Sequence, residues 1–134
     1  ADLIYLEVSK ISLSNEPVYI ANSPAYSNKL RQLQKLINAE YKNIKSPTEY
    51  AVRMNMSAKH LNRVCTETIG KTTTELIAER VVLEAKRLLV HSNKSIKEIA
   101  DTLGFDDTSY FIRFFKKNCG ETPTSFINTQ HKMH

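Results

Sequence analysis

The sequence predicts an all-α fold, two copies of one helical unit joined by a long helix, and three observations predict it. From Tyr26 onward apolar residues recur at helical spacing, and no pair of alternating strands interrupts them. Three Ser/Thr-x-x-Glu boxes mark helix starts, at Ser46-Pro47-Thr48-Glu49, Thr72-Thr73-Thr74-Glu75 and Ser95-Ile96-Lys97-Glu98. Finally, the stretch His60–Ile77 (HLNRVCTETIGKTTTELI) returns 50 residues later as Tyr110–Ile127 (YFIRFFKKNCGETPTSFI).

The elements follow in order. Residues 2–11 form a short amphipathic pattern on Leu3, Ile4, Leu6 and Ile11, and residues 12–25, with Pro17 and Pro24, read as a linker. Residues 1–25 are therefore expected to be the end of an upstream domain and its tether. Leu30, Leu33, Leu36 and Ile37 place a first helix near 26–43. Pro47 sits at the first position of the next, where its missing N–H costs nothing. Residues 73–90 read as one long helix with Ile77, Val81, Ala85, Leu88 and Leu89 buried, and Gly70, Gly104 and Gly120 fall where helices end or turn. The expected organisation is a first unit at 26–72, a linking helix at 73–91 and a second unit at 92–134.

The repeat carries the argument further. Arg63 matches Arg113, Gly70 matches Gly120, and Thr72, Thr74 and Ile77 match Thr122, Thr124 and Ile127. Upstream the offset is 49, with Glu49-Tyr50-Ala51 over Glu98-Ile99-Ala100 and Asn55-Met56 over Gly104-Phe105, so the second copy carries one extra residue, Asp106 or Asp107. Each copy has the grammar of a helix-turn-helix. A small residue (Ala51, Ala100) sits where two helices cross. A residue that accepts the left-handed conformation follows four positions later (Asn55, Gly104), then an apolar plug (Met56, Phe105).

Charge and composition limit the function. The 134-residue chain carries a formal charge of +5. Residues 1–25 are net −2, from Lys10 against Asp2, Glu7 and Glu16, which leaves +7 on residues 26–134, from 18 basic and 11 acidic side chains. Such a surplus suits a polyanion. Cys65 and Cys119 fit no metal spacing and read as small apolar residues in reduced, cytosolic surroundings. His60, His91, His131 and His134 do not converge with carboxylates, and no phosphate-cradling glycine loop exists, so no enzyme, cofactor or metal is expected. No run reaches the ~18 apolar residues of a membrane helix and no signal peptide opens the chain. An RNA binder would need stacking aromatics on an exposed face, and none is apparent.

At 100° per residue, Leu61, Val64, Cys65 and Thr68 share one side of the first unit's second helix, with Lys59, Asn62, Arg63 and Thr66 opposite. In the second unit Phe111, Phe114, Phe115 and Asn118 cluster, with Ser109, Ile112, Arg113 and Lys116 opposite. The outward residues suit a major groove: Arg63 and Arg113 as forks for guanine, Asn62 for adenine, Ile112 against a thymine methyl. Lys59, Thr66 and Lys116 suit phosphate, and Ser57 is assigned to phosphate with them. The linking helix makes about 27 Å of spacer, against ~34 Å between successive major-groove faces, so one chain can present both readers to one side of a duplex.

Residues 95–126, SIKEIADTLGFDDTSYFIRFFKKNCGETPTSF, together with Glu79-Arg80 and Ala85-Lys86-Arg87-Leu88-Leu89, resemble the AraC/XylS family of bacterial transcription regulators. The resemblance covers about residues 26–130. It implies a fold of about seven helices, two helix-turn-helix subdomains bridged by a long helix. It also implies sequence-specific binding of double-stranded DNA through two recognition helices in successive major grooves. Position by position it places Lys59, Asn62 and Arg63 in the first reading helix and Thr108, Ser109, Ile112 and Arg113 in the second. Ile112 is a departure, because members often carry serine or another small polar residue there. The family most often activates transcription and usually has a sensing or dimerisation domain upstream. RNA polymerase, engaged through the intact regulator, and a homodimer through that domain are the further partners implied, at the bacterial nucleoid in the cytoplasm.

Overall fold

In the computed structural model, which describes residues 23–132 (side chains through residue 130), every regular element is an α-helix. In chain order these are α1 (Pro24–Glu40), α2 (Pro47–Arg53), α3 (Ala58–Ile69), α4 (Thr73–His91), α5 (Ile96–Thr102), α6 (Thr108–Cys119) and α7 (Pro123–Lys132). The helix expected at 2–11 and most of the expected linker lie outside the described residues. Among those described, no helix is long and apolar enough to cross a membrane.

Local chemistry explains most of the helix starts. The Ser23 hydroxyl accepts from the Tyr26 amide and Pro24 occupies the first turn, so α1 begins two residues before the expected Tyr26. It is the device that Ser46-Pro47 also announces. Thr72 with Glu75 and Ser95 with Glu98 form both halves of their capping boxes. The Ser46 box does not form: the Glu49 amide bonds the Ser46 carbonyl at 3.1 Å instead, and the hydroxyl caps nothing. Thr122 accepts from the Ser125 amide at the head of α7.

The core is continuous, running from Leu30, Leu33 and Ile37 of α1 through Val81, Ala85 and Leu88 of α4 to Phe111, Phe115 and Phe126. Helix α4 packs against all the other helices, and every extensive helix pair either lies within one unit or includes α4. Its five expected core positions are all buried, and it buries Thr73, Ala78 and Glu84 as well. Glu84 is held ionised by a two-bond pairing with Arg87 at 2.9 and 2.7 Å, which lowers its pKa.

Tyr50 of α2 ties the first unit together. Its ring is fully buried and its hydroxyl donates to the Ile44 carbonyl at 2.8 Å. Burial first, then Glu40, pushes its pKa up to about 12. A raised phenol pKa means that the fold favours the neutral form. The resulting stability is complete below the unfolded value of about 10 and is lost as pH rises through the folded value. Tyr50→Phe is expected to cost about 1 kcal/mol at neutral pH, the net worth of one hydrogen bond, and to flatten the alkaline loss of stability. Urea unfolding between pH 8 and pH 11.5 checks both; an unchanged alkaline slope in the variant rules out this assignment.

Candidate nucleic-acid interface

Two turns of matching geometry position the site. In the first unit the Met56 amide reaches back to the Ala51 carbonyl at 3.0 Å around Asn55, whose φ is 59°. In the second the Phe105 amide reaches the Ala100 carbonyl at 2.9 Å around Gly104, whose φ is 87°. Both alanines are buried where the helices cross. The cap of α3 is Ser57, directly after Met56, whereas the cap of α6 is Asp107. The extra residue of the second copy is therefore Asp106.

Helix α3 buries Leu61, Val64 and Cys65 and leaves Lys59, Arg63 and Thr66 exposed. Arg63 does not hang free: its Nε donates to Glu67 Oε2 at 2.9 Å. That leaves both Nη groups, a two-donor edge, for a partner. The Glu67 Oε1 atom and the Thr68 hydroxyl are buried without a hydrogen-bond partner, so Arg63 compensates a carboxylate that is otherwise poorly served. The Ser57 hydroxyl accepts from the His60 amide at 3.0 Å and keeps its own hydrogen to donate. Thr66 donates weakly to the Arg63 carbonyl at 3.3 Å.

Asn62 is placed differently from its expected outward position. It is half-buried, and its Oδ1 accepts from the Thr73 amide at 3.0 Å, serving an otherwise orphan donor in the first turn of α4. That bond occupies one lone pair of Oδ1 and holds the amide against α4; the NH2 is free, and a two-bond pairing with adenine would have to share the oxygen. Its position in the structure is that of a clasp between α3 and α4.

Helix α6 buries Phe111 and Phe115 and exposes Ser109, Arg113 and Lys116. Thr108, at the first position of the helix, is half-buried. Ile112 is half-buried too and packs against the core, so only part of its side chain faces outward. Asn118, expected among the phenylalanines, is exposed and turns its amide back to the Phe114 carbonyl at 2.9 Å. Arg113 lies 6.0 Å from the Tyr110 ring centroid, and with Tyr110, Lys117, Thr74 and Glu75 it lines a cleft of about 510 Å³ between α6 and the start of α4. The position equivalent to Glu67 is Lys117, so Arg113 has no carboxylate at that spacing.

The two faces are thus equivalent in place but not in chemistry. Ser57 and Asp107 cap the two helices; a hydroxyl can donate to phosphate, whereas a carboxylate repels it. The i,i+4 spacing of Arg63 and Glu67 was a signal available in the sequence. Nothing in the sequence marks the bond from Asn62 to Thr73.

A family model described as a helix-turn-helix domain matches residues 50–129. The transcriptional activator AggR of Escherichia coli is 31% identical over 131 residues, covering 95% of this chain and 47% of AggR. The chain spans less than half the length of the curated relatives it matches. Among solved structures, the C-terminal domain of AraT, a response regulator from Geobacillus stearothermophilus, superposes with a TM-score of 0.70 at 26% identity, covering 80% of this chain and 86% of that one. The DNA-binding domain of AdpA, a global transcriptional factor solved in complex with a target DNA, shares the fold with a TM-score of 0.65 at 20% identity, over 84% of this chain and 97% of that domain.

Proposed function

The chain belongs to the AraC/XylS family of transcription regulators, as a DNA-binding part, and from that premise we propose how it reads its site. Helices α3 and α6 enter successive major grooves on one side of a duplex. Arg63 and Arg113 read guanine, one in each groove. Lys59, Ser109 and the outward part of Ile112 contact neighbouring base edges, and Thr108 sits at the rim of the second groove. Ser57, Thr66 and Lys116 hold phosphates. Asn62 contributes mainly through its free NH2, because its oxygen already serves the Thr73 amide. The intact regulator acts on transcription with RNA polymerase, as an activator at the nucleoid of the bacterial cytoplasm, and dimerises through a domain outside this chain.

The observation that supports this reading best is the equivalence of the two turns, each followed by a helix with an exposed arginine at its sixth position. The AdpA domain, of the same fold, is bound to a target DNA. The 19 residues of α4 give a rod of about 28 Å, close to one helical repeat of DNA once the width of the readers is added.

Selection of bound duplexes from a random pool tests the proposal. The expected outcome is a non-palindromic site with two short blocks about one helical turn apart. Enrichment of a single block, or of none, refutes it. Lys116→Ala is expected to lower the slope of log affinity against log salt by about one while leaving the selected sequence unchanged. A changed base preference in a salt titration of this variant moves Lys116 from phosphate to base contact.

A further inference from the structure

We propose that Lys45, in the loop between α1 and α2, is a positioning residue that latches the second helix-turn-helix onto the first and so sets the spacing of DNA blocks the chain accepts. The inference rests on the two-reader proposal above.

The loop Tyr41–Ser46 carries two lysines and no acid. The Lys45 ammonium does not extend into solvent. It donates to the Leu103 carbonyl at 2.6 Å and to the Lys42 carbonyl at 3.3 Å, and it lies 4.9 Å from the Phe105 ring centroid. Leu103 and Phe105 flank Gly104, the turn of the second unit, 58 residues along the chain from the lysine. Burial lowers the pKa of Lys45 against the opposing pull of Asp106. An ammonium is taken partly out of water only where its bonds offset the loss.

Leu103, Gly104 and Phe105 of the second unit meet this loop, and Asp106 acts on it through its charge. A Cβ at Gly104 would collide with the Lys42 carbonyl oxygen and come within 2.9 Å of the Lys45 nitrogen. Phe105 offers its ring to the ammonium, a favourable cation–π arrangement. Asp106, the residue the first copy lacks, supplies the negative charge that acts on Lys45. The first unit has Asn55 and Met56 at the positions of Gly104 and Phe105, and no equivalent of Asp106. Asn55 holds a positive φ and is exposed, so the turn itself does not require glycine. The second turn is built to meet the loop.

Its mechanical effect follows from the connectivity. Apart from this contact, the extensive helix pairs that join the units all involve α4, against which both pack. Packing on one shared rod fixes rotation about its axis and bending along it less firmly than two attachments do. A second attachment off that axis restrains both, and with them the distance and angle between α3 and α6.

The test compares the 134-residue chain with Lys45→Met, which keeps the stem over Phe105 but removes the charge, with Asp106→Asn and with Lys45→Arg. Without DNA, residual dipolar couplings of the two units should fit one alignment tensor in the parent chain and two different tensors in Lys45→Met. With DNA, duplexes carrying the selected blocks are lengthened or shortened by one or two base pairs between them. The parent chain should lose about tenfold or more in affinity for a shifted spacing, and Lys45→Met less than about threefold, with base preference inside each block unchanged. Asp106→Asn should fall between them and Lys45→Arg should restore the discrimination. One shared tensor in Lys45→Met with spacing discrimination intact overturns the latch. So does equal weakening at all spacings with a shallower salt slope, the signature of a phosphate contact. If the parent chain itself shows no preference for spacing, the two-reader proposal fails, and the dipolar couplings still decide whether Lys45 latches the units.

Discussion

Arg63→Ala and Arg113→Ala are each expected to weaken binding of the selected duplex by about 1–3 kcal/mol, and each to relax a different block. A guanidinium recognises guanine by donating two parallel hydrogen bonds to O6 and N7, a geometry that lysine cannot reproduce. Arg63→Lys and Arg113→Lys should therefore retain much of the affinity while losing the preference for guanine. The two arginines differ in how they are held. Arg63 is anchored through Nε to Glu67, so less side-chain freedom is lost on binding and its Nη edge is presented in advance. Arg113 has only the Tyr110 ring and the cleft wall beside it. Glu67→Gln should consequently weaken the first block and leave the second alone. Arg63→Ala also strips Glu67 of its partner and is expected to lower stability, whereas Arg113→Ala should stay within about 0.5 kcal/mol of the parent. Binding is therefore measured where urea or thermal melts show each variant folded. If either substitution weakens every duplex equally, that arginine is a phosphate contact and the base-reading assignment is wrong.

The fold was largely legible in the sequence because its determinants are local or periodic. Capping chemistry spans three residues, the burial of α4 repeats along one helix, and the turns declare themselves through Asn55 and Gly104. What escaped is what depends on a distant backbone group. Asn62 has the type and spacing of a base reader, yet its oxygen is taken by the Thr73 amide, a donor that is orphaned only because a new helix begins there. Ile112 lies on the outward side of a helical wheel, but a wheel does not include neighbouring helices, and Ile112 packs against the core. Lys45 carries no pattern at all, since its partner is a carbonyl 58 residues away. Ser23-Pro24 carries the same start signal as Ser46-Pro47, but in a stretch that also holds Pro17 it reads as linker, and the signal shows only once the Ser23 hydroxyl is seen to accept from the Tyr26 amide. The candidate site was thus visible as a set of faces. The bonds that withdraw or orient individual side chains were not.

Gly104→Ala is expected to destabilise the chain by about 2–5 kcal/mol, considerably more than the same change at Gly70. Both glycines have positive φ, 87° and 70°, and in both an alanine meets the left-handed penalty of about 1–2 kcal/mol. At Gly70 that is the whole cost, because nothing lies within 4 Å of an added Cβ. At Gly104 the Cβ would run into the Lys42 carbonyl, a backbone atom that moves only if the loop moves, and overpacking of this kind adds about 1–3 kcal/mol. The loop can avoid the clash only by lifting away from the second turn, which breaks the bond from Lys45 to Leu103. Part of the steric cost is then exchanged for loss of a charge-assisted hydrogen bond, so the total stays large by either route. The contrast with Asn55 is informative: it holds a positive φ with a side chain attached, and Asn55→Gly should change stability by less than about 1 kcal/mol. Urea unfolding of Gly104→Ala, Gly70→Ala and Asn55→Gly decides the matter. Should Gly104→Ala prove no worse than Gly70→Ala, the Lys42–Lys45 loop yields freely and the close approach of the two units has no energetic weight.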